Sequence, residues 1–222
     1  EDNRKITASA IYIDGKNVIV GDKALNYIKG ESKKVVLQTK REMENDVVYS
    51  LDQGKWTEDK DLVDAFTPAQ VSSLILKKLK DYTTDVKKAV ITVPAMFAEK
   101  ARQATLDAAK LADLEVIELI NEPTAAVLHY ASLPGVEVGG RVMIFDLGGG
   151  TFDVTFAEVK NKKVDVLTSR GDKYLGGRDF DKEITKLMKK KYHNIHNVDI
   201  DIENKKEYLQ KAEEVKKILS VK

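Results

Sequence analysis

Asp146-Leu147-Gly148-Gly149-Gly150-Thr151-Phe152-Asp153 is the stretch from which the rest of the chain is read. Three successive glycines after an apolar run expose consecutive backbone N–H groups with no side chain in front of them, a surface suited to a phosphate. An ionised Asp146 just before them is placed to hold Mg²⁺ through water. The Thr151 hydroxyl is placed to donate to a terminal phosphate, and flanking strands would fix both. A glycine-rich hairpin with a capped aspartate is the plainer alternative; the company of Asp146, Thr151 and Asp153 weighs toward phosphate. Two other phosphate motifs fail. A Walker loop needs Gly-Lys-Ser/Thr, but Gly15-Lys16 and Gly54-Lys55 are followed by Asn17 and Trp56, and the dinucleotide fingerprint needs glycine where Asp153 stands.

Outward from this loop, Arg141 to Phe145 predicts a strand leading in. Val154 to Val159 and Val164 to Thr168 predict antiparallel strands joined by Asn161-Lys162-Lys163. Upstream, Ala89 to Val93 is a β-branched run stopped by Pro94 and reads as a buried strand. A helix near Ala98 to Ala112, a strand at Val116 to Ile120 and a helix opened by Pro123 follow, an alternation that argues for an α/β layer with parallel strands. Thr67-Pro68-Ala69-Gln70 carries the cues of a helix start, and Val71, Leu74, Ile75 and Leu79 continue it to about Tyr82. Ile6 to Val20 alternates around Asp14-Gly15, as a hairpin does. Gly21 to Trp56 reads as a charged, exposed coat punctuated by loops at Gly30-Glu31-Ser32 and Asp52-Gln53-Gly54. Pro134 to Gly140 reads as a crossing between layers, and the chain from Gly177 onward as two helices joined by a polar segment from His193 to Ile202.

Composition narrows the field. With 222 residues and 42% hydrophobic content the chain can bury a core, which excludes disorder. Lys and Arg number 37 against 36 Asp and Glu, so bulk charge points neither to nucleic acid nor to an anionic membrane surface. The absence of cysteine excludes a disulfide scaffold and a thiolate site and fits a reducing compartment. No apolar run approaches the roughly 18 residues of a membrane helix, and Glu1-Asp2-Asn3-Arg4-Lys5 does not open a signal peptide.

Four motifs in order, Ile91-Thr92-Val93-Pro94-Ala95-Met96-Phe97, Ile120-Asn121-Glu122-Pro123-Thr124-Ala125-Ala126, the Asp146 to Asp153 loop and Leu175-Gly176-Gly177, resemble the ATPase domain of the heat-shock protein 70 (DnaK-type) chaperones. The resemblance runs from about Asn3 to Ser220. It implies an α/β, actin-like (ribonuclease H-like) ATPase fold of two lobes, truncated at both ends, with ATP or ADP and Mg²⁺ in the cleft. Residues 1–67 would form the outer subdomain of lobe one and 68–135 its inner subdomain. Residues 136–174 would be part of the inner subdomain of lobe two, and 175–222 the start of its outer one.

By position, the resemblance makes Gly148, Gly149, Gly150 and Thr151 the second phosphate loop, with Gly176 and Gly177 beside it. It puts Asp146 and Glu122 near the metal through water, with Asp153 close by, and makes Lys40 the lysine that orients the attacking water. Pro94 and Arg102 would relay nucleotide state. Glu213, Lys216, Lys217 and Ser220 would contact adenosine, with Lys217 standing where the family usually has arginine. The family further implies unfolded client peptides bound by a missing C-terminal domain, a J-domain co-chaperone, a nucleotide-exchange factor and a cytoplasmic setting. The family's first phosphate loop does not occur in this sequence, so the expectation is of no useful hydrolysis by these residues alone.

A non-catalytic, nucleotide-sensing adaptor is the second reading. A sugar kinase of the same superfamily is a weaker third, because no sugar site is recognisable. Four other features are set aside. His193 and His196 lack a completing carboxylate pattern for a metal site. Lys186, Lys189, Lys190 and Lys191 read as a solvated face, Trp56 as an aromatic folded onto the small lobe, and Asp179 and Asp181 as caps of the following helix.

Overall fold

A computed structural model describes residues 6–136, 139–160, 163–203 and 205–221. Its first sheet follows the alternation of the sequence. Strands β1 (Ala10–Asp14) and β2 (Asn17–Val20) pair antiparallel with Asp14 opposite Asn17, and Gly15 in the turn has φ +56°, a conformation that glycine adopts without strain. Strand β3 (Val35–Leu37) pairs on the other side of β1. Because side chains alternate across a strand, Ala10 and Tyr12 face one cluster while Ile11 and Ile13 face another. The first cluster adds Ala24 of α1 (Asp22–Leu25), Ile28 of α2 (Ile28–Glu31) and Val35. The second adds Val36, Tyr49 and Val71.

The segment from Gly21 to Trp56 is therefore no charged coat. Its apolar residues occur singly among lysines, too sparsely for a periodic pattern, yet they supply three of the five buried residues of the first cluster and two of the five of the second. Gly30-Glu31-Ser32, expected as a loop, is the end of α2 running into a 3₁₀ turn at Ser32–Lys34. After α3 (Thr39–Glu42), strands β4 (Val48–Ser50), β5 (Lys55–Thr57) and β6 (Ala65–Phe66) form a sheet in the order β5-β4-β6. The expected turn at Asp52 to Gly54 lies within it, and Trp56 packs edge-on to Tyr49 with ring centroids 5.3 Å apart. Helix α4 (Pro68–Lys80) begins as its sequence dictates. The Thr67 hydroxyl accepts from the Gln70 N–H at 3.2 Å, and the Gln70 side chain accepts from the Thr67 N–H at 2.8 Å.

Strands β7 (Lys88–Val93) and β8 (Glu115–Asn121) are parallel, joined by α5 (Glu99–Leu111), and α6 (Glu122–Ser132) follows at once. The β7 strand is not buried throughout: its burial alternates, and Val90 on β7 and Ile117 on β8 face solvent. Next comes an antiparallel sheet in the order β11-β10-β9, from β9 (Gly140–Leu147), β10 (Phe152–Lys160) and β11 (Lys163–Asp172). Asn161 and Lys162 of the expected turn, Glu137 and Val138 of the expected crossing, and residues 1–5 lie outside the described residues.

Helices α7 (Gly177–His196) and α8 (Lys206–Leu219) pack on each other. Helix α7 continues through His193, so the connector starts only at Asn197, whose φ of +53° ends the helix. His193 lies 3.0 Å from Asp199, and His196 packs on Tyr192. Among the described residues no helix is long and apolar enough to cross a membrane.

Lys206, at the first turn of α8, ties that helix to the first two sheets. Its ammonium donates to the carbonyls of Ser32 and Val35 at 2.7 Å each, to Gly54 at 3.2 Å and to the Tyr49 hydroxyl at 2.5 Å. Burial first, and the charge of Arg178 second, pull Lys206 down to about 8, against the pull of those four oxygens. Lys206→Met should cost about 1–3 kcal/mol in urea unfolding, since it strips a shared donor from buried acceptors. The folded state binds fewer protons than the unfolded one between about pH 8 and the ordinary lysine value. The stability contributed by Lys206 therefore rises with pH across that window, and the deficit of the variant should be larger at about pH 9.5 than at about pH 7.

One face of the β9–β11 sheet is open. Met143 is 60% and Phe145 62% exposed on β9, with Phe156 on β10 directly opposite Met143. A polypeptide of these 222 residues should self-associate through this apolar face. Sedimentation should show mean mass rising with concentration, and Phe145→Lys should suppress the rise.

Candidate functional site

The connection between β9 and β10, Gly148 to Thr151, is closed by the Gly148 N–H donating to Thr151 O at 2.9 Å. None of its three glycines needs a left-handed backbone. Nor would a Cβ on any of them meet an atom closer than 3.4 Å; the close approach is made by Gly176 on the facing run. The start of α7 lies against them: Gly177 N–H donates to Gly148 O at 3.0 Å and Arg178 N–H to Gly149 O at 3.1 Å. A Cβ on Gly176 would sit 2.7 Å from both Gly149 C and Gly150 N, so the two glycine runs meet backbone to backbone. A Cβ on Gly149 would meet no atom within 4 Å, and Gly149 lines a cavity.

On one side of the loop the site is acidic. Asp146 and Asp153 are directly opposite on β9 and β10, an arrangement of like charges that costs stability by itself. Asp153 is only 5% exposed and its Oδ1 has no partner among the described residues. Burial, then Glu122, then Asp146 push its carboxyl above the ordinary range, and only Lys40 opposes them. Glu122 opens α6, directly after the β8 strand, and accepts from Lys40 Nζ at 2.8 Å. Lys40 itself is set by α3, which follows Gln38 with φ +64°. Among the described residues no three carboxylates or histidines converge into a direct metal-ligand set. Three carboxylates around one ammonium fit a divalent cation held through water.

Arg41 was not singled out from the sequence, although it is the next residue after Lys40. Its side chain is 7% exposed, Nε donates to Gly150 O at 2.7 Å, and its two terminal nitrogens reach Asp179 at 3.2 and 2.5 Å. Burial would raise Asp179; the hydrogen bonds and charges of Arg41 and Lys182 outweigh it and hold the carboxyl low. Asp179 also accepts from the Gly176 N–H at 2.9 Å, so it caps the helix in whose first turn it stands, as expected. Arg102, on α5, is half-buried. It donates to Phe97 O at 3.0 Å and to Asn121 Oδ1 at 2.6 Å, just before Glu122.

These elements enclose a cavity of about 780 Å³. Lys40, Glu122, Asp146 and the Gly148 to Thr151 loop line one side; Gly177, Glu213, Lys216 and Lys217 line the other. Lys216 turns inward to Asp181 and to Gly177 O, both at 2.7 Å, while Lys217 pairs with Glu213 at 2.7 Å near the surface. Asp181 is thus a buried ion-pair partner on the cavity wall and not a cap. Three expected residues do not reach the cavity. Asp153 is buried behind its wall, Gly176 is covered by Gly149 and Gly150, and the Ser220 hydroxyl donates back to Lys216 O at 2.9 Å.

A family model described as Hsp70 protein matches residues 1–222. The chain is similar to the chaperone protein DnaK of Thermotoga petrophila, 35% identical over 205 residues, which cover 88% of this chain and 32% of that protein. It is 39% identical over 191 residues to the DnaK of Thermosipho africanus, covering 82% of this chain and 30% of that one. To the DnaK of Cyanidium caldarium it is 42% identical over 154 residues, covering 67% of this chain and 24% of that one. The chain thus spans about a third or less of the length of these relatives. With all of its residues inside the family match, the chain belongs to the Hsp70 protein family.

Proposed function

We propose that the chain is part of a chaperone ATPase domain of actin-like, two-lobed fold, with the subdomain boundaries drawn from its sequence, and that its cavity takes ATP or ADP with Mg²⁺. One observation carries the reading: Lys40, Glu122, Asp146 and the glycine loop come from four separate elements and line one cavity. The side-chain-free surface at Gly149 receives phosphate, and the Thr151 hydroxyl donates to it. Glu122 and Asp146 hold the waters of the cation, which neutralises charge on the phosphates when bound. Lys40, fixed by Glu122, sets a water in line with the terminal phosphate. Gly177, Glu213, Lys216 and Lys217 face the nucleoside. In the whole protein, hydrolysis would gate the binding of unfolded peptides, with a J-domain co-chaperone and an exchange factor as partners and the cytoplasm as its setting.

Calorimetric titration with Mg-ADP tests this directly: the reading requires saturable one-to-one heat, and a flat titration at millimolar nucleotide would sink it. Gly149→Leu adds bulk at a cavity-lining residue whose Cβ would meet no atom within 4 Å. It should cut ADP affinity by about tenfold or more while leaving the circular dichroism spectrum intact.

The acidic side carries its own test. Since the Asp153 pKa is raised, its stability contribution is full below the ordinary carboxyl value and is lost as pH rises through the folded value. Metal-free Asp153→Asn should therefore melt above the parent at about pH 7, with the gain shrinking toward about pH 4. Added Mg²⁺ should stabilise the parent more than the variant, and equal stabilisation would place the cation elsewhere.

A further inference from the structure

We infer that Arg178 is an anion-binding residue of the cavity, reaching the phosphate tail of its ligand from the α7 side; this rests on the nucleotide reading above. Its backbone is fixed on the glycine loop, through the 3.1 Å hydrogen bond to Gly149 O, and its side chain lines the cavity. The Nε is buried without a hydrogen-bond partner among the described residues.

The neighbouring carboxylates do not supply one, because each already has another cation. Asp179 holds Arg41 and Lys182, Asp181 holds Lys216 at 2.7 Å, and Glu213 holds Lys217 at 2.7 Å. Lys206, also on the cavity wall, spends its protons on carbonyls and the Tyr49 hydroxyl. Arg178 is thus the surplus charge of this wall. Burial first, and Arg41 second, weaken its hold on the proton; the charges of Asp181, Glu213 and Asp179 oppose them only in part, which leaves the cost of a desolvated cation incompletely compensated. An anion in the cavity removes that cost. A planar fork of donors next to a glycine loop can take the paired oxygens of a phosphate in a bidentate pair.

Inorganic tripolyphosphate and Mg-ADP are the two probes, with adenosine as the uncharged control. Arg178→Gln should weaken both anionic probes by about tenfold, flatten the salt dependence of their binding and leave adenosine affinity unchanged; Arg178→Lys should recover part of the loss. In the unaltered protein, the Arg178 Nε–H resonance should shift on adding tripolyphosphate, a readout that needs no variant. Unchanged anion binding by Arg178→Gln, or a resonance that does not move, overturns the inference while ADP binding keeps the nucleotide reading. Arg178-dependent tripolyphosphate binding without any ADP binding does the reverse. A protein that binds neither probe overturns both.

Discussion

Two glycine runs touching backbone to backbone set the position of everything else in the cavity. Gly148 to Gly150 ends a strand, Gly176 and Gly177 start a helix, and the pair of hydrogen bonds between them leaves no room for a Cβ at Gly176. The contact fixes α7 against the β9–β10 hairpin, and α7 in turn aims Arg178, Asp179 and Asp181. Arg41 closes the arrangement from the first half of the chain by binding Gly150 O and Asp179 together. A loop held from two sides by hydrogen bonds and from a third by a buried guanidinium is already organised for a ligand, so little ordering entropy remains to oppose binding.

Charge is separated along the walls. Around Asp146 and Asp153 the carboxylates outnumber the single ammonium of Lys40; at α7 and α8 the cations exceed the acids. Neither imbalance is explained by stability, because opposed aspartates and an incompletely compensated guanidinium both weaken the folded state. Such groups concentrate where a ligand supplies the missing charge.

Much of this was legible in the sequence because it rests on local rules. The Thr67 and Gln70 cap, the Asp14-Gly15 hairpin, the β7-α5-β8 unit and the glycine loop are each set by residues within a few positions of one another. The fold of Gly21 to Trp56 was not, since isolated apolar residues such as Val35 and Tyr49 gain meaning only from the sheet that buries them. The exposed edges of β7 and β8 were hidden for the converse reason: an apolar run shows what a strand could bury, not what covers it. Arg41 lacked any signal beyond its place beside Lys40, because its partners Gly150 and Asp179 lie 109 and 138 positions away. Ser220 was placed by resemblance alone, and its hydroxyl donates back to the Lys216 carbonyl at the end of its own helix.

The Lys206 tether has a consequence for the order of assembly. It joins α8 to carbonyls 152 to 174 positions earlier in the chain. Contacts of such high order demand closure of a very long loop before they return any free energy, whereas the β1–β2 hairpin and the capped α4 form from neighbours. During synthesis the first sheet emerges well before Lys206, so the carbonyls of Ser32, Val35 and Gly54 remain hydrated until α8 arrives, and its docking is a late, concerted step.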